Sequence, residues 1–263
     1  MKWRSLLLVL GACMKVVPAL AADWRDALDL KPGKFPAQRA VAARYEFGWS
    51  GVKAAEAEAK FSRTKGHCRL ELDAKTVGVA RGLWRMDTHA VSTMNARTLR
   101  PVRLNQSEKY SKKSFLTTVD FSGEGVKRLK VPTPPDRNPP KLKEFKFSHV
   151  HDLQSALLFI RSQRLAQAET IRLCVYPSTG AYLAEIHVLA REKVKAAGRE
   201  WDAIKCDIKL REVMRDFTVA PHRKFKKAAA WLSDDKDRLL LRVEAEVFVG
   251  SIWAELKSAD FAK

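Results

Sequence analysis

Near the C-terminus, Asp234-Asp235-Lys236-Asp237-Arg238 places three carboxylates and a guanidinium within five residues. Carboxylates that close could hold calcium, but the Asp-x-Asp-x-Asp-Gly pattern of a calcium loop is absent. The flanking "AAWLS" and "LLLRVEAEVFV" are strand-like, and aspartates favour tight turns. Asp234, Asp235, Asp237 and Arg238 therefore read as the turn of a hairpin. His149 and His151, at i and i+2, would share one face of a strand and could bind a metal. However, Asp152 is placed to cap a following helix, so the pair falls at a strand-to-helix junction. His67, His89, His187 and His222 stand apart in sequence.

Hydrolytic chemistry lacks a signature. No Gly-x-Ser-x-Gly elbow occurs, and Ser50 in "GWSG" fits a hairpin turn better than a nucleophile. No glycine-rich phosphate loop or Cys-x-x-Cys pair is present, while paired carboxylates distant in sequence stay open. The expectation is a protein that is not an enzyme and needs no metal or cofactor. Cys68 and Cys206 alternate in phase with leucine and isoleucine, so they read as buried thiols; a bridge between them is the alternative.

The elements that would position these residues follow a period of two from residue 40 onward. "VKAAEAEAKF" sets Glu56 and Glu58 on one face and Ala55, Ala57, Ala59 and Phe61 on the other. Strands are predicted at residues 68–72, 83–92, 102–109, 114–121, 126–131, 170–176, 182–189 and 201–210. The return strand from Leu239 alternates until Gly250-Ser251, where a bulge or bend is expected before "IWAEL". "VPTPPDRNPPK" (131–141) holds five of the 11 prolines and reads as an extended surface loop. "HDLQSALLFIRSQ" is the one appreciable helix, with Leu153, Ala156, Leu157 and Ile160 at helical spacing. The predicted fold is mainly β. One large curved antiparallel sheet, a half-barrel or barrel-like, forms a single domain over 40–263, with one short packing helix.

Residues 1–21 read as an export signal: Lys2 and Arg4, the apolar run "LLLVLGAC", then the small-x-small "ALA". Residues 22–39 form an N-terminal extension. "LGAC" also resembles a lipobox, which would anchor the chain through an acylated Cys13 instead. Either way the chain is exported, to the periplasm or cell envelope. The 263 residues carry a formal charge of +19, with Arg223, Lys224, Lys226 and Lys227 clustered around Phe225. After export, a basic surface faces phospholipid headgroups or acidic polymers rather than nucleic acid.

Three blocks, "RYEFGWSG", "HDLQSALLFIRSQ" and "WLSDDKDRLLLRVEAEVFVGSIWAEL", resemble in that order an exported bacterial family catalogued only as domain of unknown function 3108. Many relatives carry a proline two positions after the arginine of the third block, where this chain has Leu240. The resemblance implies a periplasmic or outer-membrane-facing β protein and no reaction.

Two functions are open on these grounds. The first is a non-enzymatic envelope protein holding a lipid or other apolar ligand in its curved sheet. Trp84, Trp231 and Trp253 would be wall residues, and Leu157, Phe159 and Ile160 a plug. The second is an interaction module that holds an anionic envelope polymer through its basic surface, with peripheral membrane contact allowed.

Overall fold

The computed structural model describes residues 23–136, 139–222, 225–247 and 250–262. The export segment, Cys13, Arg223 and Lys224 lie outside these, as do the side chains of Phe225 and Lys226.

The first half of the chain is a meander. It comprises β1 (Val41–Trp49), β2 (Val52–Arg63), β3 (His67–Thr76), helix α1 (Gly78–Leu83), β4 (Met86–Asn95), β5 (Pro101–Tyr110), β6 (Ser114–Ser122), β7 (Gly125–Thr133) and the short β8 (Lys143–Phe145). The second half holds β9 (Val150–His151), helix α2 (Leu153–Ser162), β10 (Thr170–Val175), β11 (Ala181–Ala196), β12 (Arg199–Val213), β13 (Val219–Pro221), β14 (Phe225–Ser233), β15 (Leu240–Val247) and β16 (Ser251–Phe261). All join one sheet, ordered β8-β7-β6-β5-β4-β3-β2-β1-β16-β15-β14-β12-β11-β10-β9, with β13 paired to β12. First and last strands pair at its middle, Val41 opposite Phe261. Every pairing is antiparallel except β9 with β10.

The sheet does not close through hydrogen bonds, because β8 and β9 remain edges. Side chains join the two ends instead. Phe145 of β8 stacks on Tyr176, just past β10, with ring centroids 6.3 Å apart, and meets Phe217 at 5.8 Å. Val119, Val126, Cys174 and Leu183 are buried in the same cluster. Aromatic contact thus covers sheet edges that would otherwise invite foreign strands.

The period-two alternation has the consequence expected of it. Register places Tyr45 opposite Ala57 and Ala57 opposite Ala74, while Arg44, Glu58 and Asp73 line the other face. The apolar face is covered from within by α2. Its Leu158 packs in the cluster of Val41, Phe61, Met94, Leu241 and Leu256. Its Ala156 and Phe159 pack in the cluster of Ile171, Leu173, Ile186 and Leu232. One helix therefore serves both halves of the sheet. Burying Phe159 alone contributes about 2–3 kcal/mol.

Three sequence-based boundaries move. Residues 78–83 form α1, so β4 begins at Met86 rather than Leu83. The β11–β12 hairpin extends to residues 196 and 199, through a stretch too charged to read as strand. There Lys193 pairs across to Asp202 at 2.9 Å, and Ala197-Gly198 make the tight turn with φ of 50° and 72°. Pro132 lies inside β7, opposite Phe115, but β8 pairs only with residues 126–128, so its missing N–H costs no ladder bond. Of the bulge or bend expected at Gly250, the structure shows the bend. Gly250 sits at φ 80° where β15 turns back into the antiparallel β16. Cys68 and Cys206 are buried free thiols as expected, and so is Cys174; the alternative Cys68–Cys206 bridge is not formed.

Candidate functional site

The Asp-rich stretch is wired into the fold. Asp235 Oδ1 accepts from Ser233 Oγ at 2.8 Å, Asp237 N at 2.9 Å and Arg238 N at 3.0 Å. Asp234 accepts from Arg191 Nε at 3.0 Å. Asp237 takes both prongs of Arg39, at 2.9 and 2.7 Å, and that contact holds its carboxyl below the usual carboxylate range. Arg238 turns the other way and caps the C-terminus of α2. It donates to the carbonyls of Arg161 at 2.7 Å, Arg164 at 2.9 Å and Gln163. Arg161 reciprocates from the helix, donating to the carbonyls of Asp237 at 3.1 Å and Lys236 at 3.3 Å. It also reaches Pro36 O at 3.1 Å.

Arg238 lies 3.3 Å from the centre of the Phe35 ring, so the ring lies on this arginine pair. Burial pushes both guanidinium pKa values down to about 10. The carbonyls of a helix C-terminus favour cations, which offsets part of that cost. The stretch is a latch that seats α2 and the N-terminal extension against the sheet through buried Asp237 and Arg238, while Asp234, Asp235 and Lys236 stay exposed.

The other end of α2 is held as firmly. Asp152 caps it, accepting from Ser155 N at 2.7 Å, and also accepts from Ser92 Oγ of β4 at 2.5 Å. Ser, His and Asp meet here without the wiring of a catalytic relay. His151 Nδ1 lies 3.2 Å from Ser155 Oγ, and Asp152 bonds the serines rather than the imidazole. Burial lowers the His151 pKa to about 3, so the ring is neutral. His149 Nδ1 instead meets Ser148 Oγ at 2.9 Å, so the two histidines serve different partners. A void of about 10 Å³ beside Arg100, His149, His151 and Cys174 has room for one water at most.

The residues expected to form a ligand-binding wall and plug are dispersed. Phe159 is fully buried, and Leu157 and Ile160 are half-buried against the core of β10–β14. Trp231 is buried and donates its indole N–H to Glu192 at 2.6 Å. Trp253 lies over Gly48, where a Cβ would come within 2.1 Å of its ring. Trp84 is not a wall residue. It ends α1 in an exposed position and stacks on Tyr110, because the residues before it are helix rather than strand.

A depression on the charged face of the sheet gathers titratable side chains instead. About 770 Å³ in volume, it runs across β16, β1, β2, β3, β4 and β5. Its walls alternate in sign. Lys257 and Lys53 flank Glu46 at 3.1 and 2.7 Å and lower its pKa, the Lys53 hydrogen bond most. Lys60 pairs with Glu58 at 2.8 Å. Asp73 and His89 of the depression's lining, with Glu71 next to them, bring potential ligand atoms within 4.8 Å of one another. The imidazole is already engaged there, Nδ1 at 2.7 Å from Asp73 and Nε2 at 3.9 Å from Glu71. These exposed pairs read as a cross-strand charge ladder. "EAEAK" and "RLELD" carry its signal, which became a site only when the register aligned six strands. Of the basic cluster, Lys227 is exposed near the start of β14.

No curated protein sequence matches the chain. A solved structure from Brucella abortus, a β-barrel-like protein of the domain of unknown function DUF1849, aligns with a TM-score of 0.55 at 8% identity. That alignment covers 87% of this chain and all of the other, and it supports the barrel-like fold. An exported protein with a YmcC-like fold from Bacteroides fragilis aligns at a TM-score of 0.33, with 8% identity over 87% of this chain and 99% of its own. A lipoprotein from Parabacteroides distasonis aligns at 0.32, with 9% identity over 88% of this chain and 99% of its own. The family described as Protein of unknown function (DUF3108) matches residues 44–257. The chain belongs to that family.

Proposed function

Starting from a DUF3108 member with a barrel-like sheet, we propose an exported, non-catalytic envelope module that works through its outer surface and holds an anionic envelope component. The filled concavity carries this reading. α2 occupies the place a carrier's ligand would take, with Leu158 and Phe159 buried in the two clusters that the sheet's halves build around it.

Holding a lipid inside the curved sheet would require α2 to leave. That would expose Leu158 and Phe159 and break the arginine latch. The cost is on the order of 10 kcal/mol, comparable to the whole stability of a domain. The surplus of basic residues, 49 against 30 acidic, favours an anionic partner.

Co-sedimentation with isolated envelope fractions at low and high salt tests the reading. Exposed charge contacts are screened, so association should fall steeply as salt rises. Salt-insensitive association, or a stoichiometric lipid in the native mass spectrum, would return the interior-ligand reading to first place.

A further inference from the structure

At one end of the half-barrel several turns come together: β1–β2, α1 between β3 and β4, β5–β6 and β15–β16. Hydrogen bonds and ring contacts knit them into an arc. Ser50 N donates to Ser251 O at 2.8 Å, Val77 N to Ala54 O at 2.9 Å, and Trp84 stacks on Tyr110 at 6.1 Å.

α1 is amphipathic in the wrong sense for a helix facing water. Its charged residue, Arg81, turns inward and donates to Asp87 at 2.7 and 3.1 Å and to Thr76 O at 3.1 Å. Its apolar residues face out: Val79 is 75% exposed, Leu83 85%, and Trp84 at its end 56%. A surface helix normally presents the opposite faces. The neighbouring turns repeat the pattern, with Val52 60% and Trp49 52% exposed.

Basic residues surround these tips. Arg85, Lys109, Lys112 and Lys227 are exposed at the same end. Asp87 pairs with Arg81 and, at 3.7 Å, with Arg85, Asp136 pairs with Lys113, and exposed Glu246 lies opposite Lys227. Leucine, valine and tryptophan at projecting tips within a basic collar are the composition that binds the headgroup region of an anionic bilayer.

We propose that this end docks onto an anionic membrane surface, with Val79, Leu83 and Trp84 entering the headgroup region and Arg85 and Lys112 contacting lipid phosphates. The proposal rests on the surface-module reading and names a lipid bilayer as its partner. It needs no opening of the barrel, because every residue it uses is already outside.

The test is co-sedimentation of the full chain with vesicles of phosphatidylcholine and phosphatidylglycerol in equal parts. Cys13→Ser is included throughout so that acylation cannot supply an anchor. Binding is expected, and Val79→Asp with Leu83→Asp should weaken it by about tenfold or more, since each loses a buried aliphatic side chain. Arg85→Glu with Lys112→Glu should weaken it by about tenfold at low salt. Both pairs are exposed, so unchanged thermal unfolding should show that the variants fold. No vesicle binding, or binding unchanged in the Val79/Leu83 variant, overturns the proposal. If that occurs while salt-sensitive binding to an acidic envelope polymer persists, the surface-module reading stands and the membrane partner falls. If neither surface is bound, both fall.

Discussion

Replacing Arg238 with alanine should cost the protein about 4 kcal/mol. Its guanidinium makes three charge-assisted hydrogen bonds to carbonyls at and just past the end of α2, at 2.7 Å to Arg161, at 2.9 Å to Arg164, and to Gln163. At about 2 kcal/mol each these contribute about 6 kcal/mol, and the contact with Phe35 adds about 1 kcal/mol. Against this stands the burial of the charge, which brings its pKa down to about 10 and costs about 3 kcal/mol. In a chain of this size the net loss corresponds to a drop of about 10 °C in melting temperature. Urea unfolding followed by circular dichroism measures it, alongside Arg238→Lys. Lysine keeps the charge but cannot fork to three carbonyls, so it should recover less than half of the loss. An alanine variant within about 0.5 kcal/mol of the parent would refute the latch. A lysine variant equal to the parent would show that charge rather than geometry does the capping.

Three further outcomes follow from the same contacts. His151, neutral in the fold with a pKa near 3, takes up a proton on unfolding from about pH 6.5 downward, so its contribution to stability is lost as pH falls from about 6.5 towards 3. Buried Asp152, raised by desolvation, acts in the opposite sense, and the two separate in Asp152→Asn, which keeps the cap while the loss of stability below pH 6.5 persists. Persistence of that slope in His151→Gln would count against the assignment. Gly48→Val should destabilise the fold by about 2–4 kcal/mol, because its first added carbon meets the Trp253 ring at 2.1 Å; Gly48→Val with Trp253→Ala should recover part of it in the same urea titration. Burial raises the Cys68 thiol and pushes Cys174 to about 12 and Cys206 to about 11, so Ellman's reagent should leave all three unlabelled in the native state and titrate them in urea. Rapid native labelling would contradict their placement.

Much of the strand content was legible because one face of each strand had to be apolar. Ala57, Ala59 and Phe61 against Glu56 and Glu58 could alternate in only one way on a half-buried sheet. The cap at Asp152 was legible for an equally local reason, since a helix start leaves N–H groups that a carboxylate can accept. Where local patterns misled, the cause was also local. Leu83 and Trp84 have strand-compatible side chains, and "REKVKAAGRE" looks too polar for strands until Lys193 finds Asp202 across the hairpin. The trough was invisible because its residues come from six strands whose order no spacing encodes.

Period, propensity and capping act between neighbours, so they suffice for a curved, mainly β protein with one internal helix and a hairpin turn at Asp234–Arg238. How those parts act on one another is a matter of long-range packing. Arg238 belongs to the end of α2, more than 70 residues away in the chain, and Phe145 covers a sheet edge with Tyr176. The concavity that a strand pattern makes available is filled by the protein's own helix. Contacts of that kind depend on sheet curvature and on which strands pair, and both are settled by the packing of the whole chain.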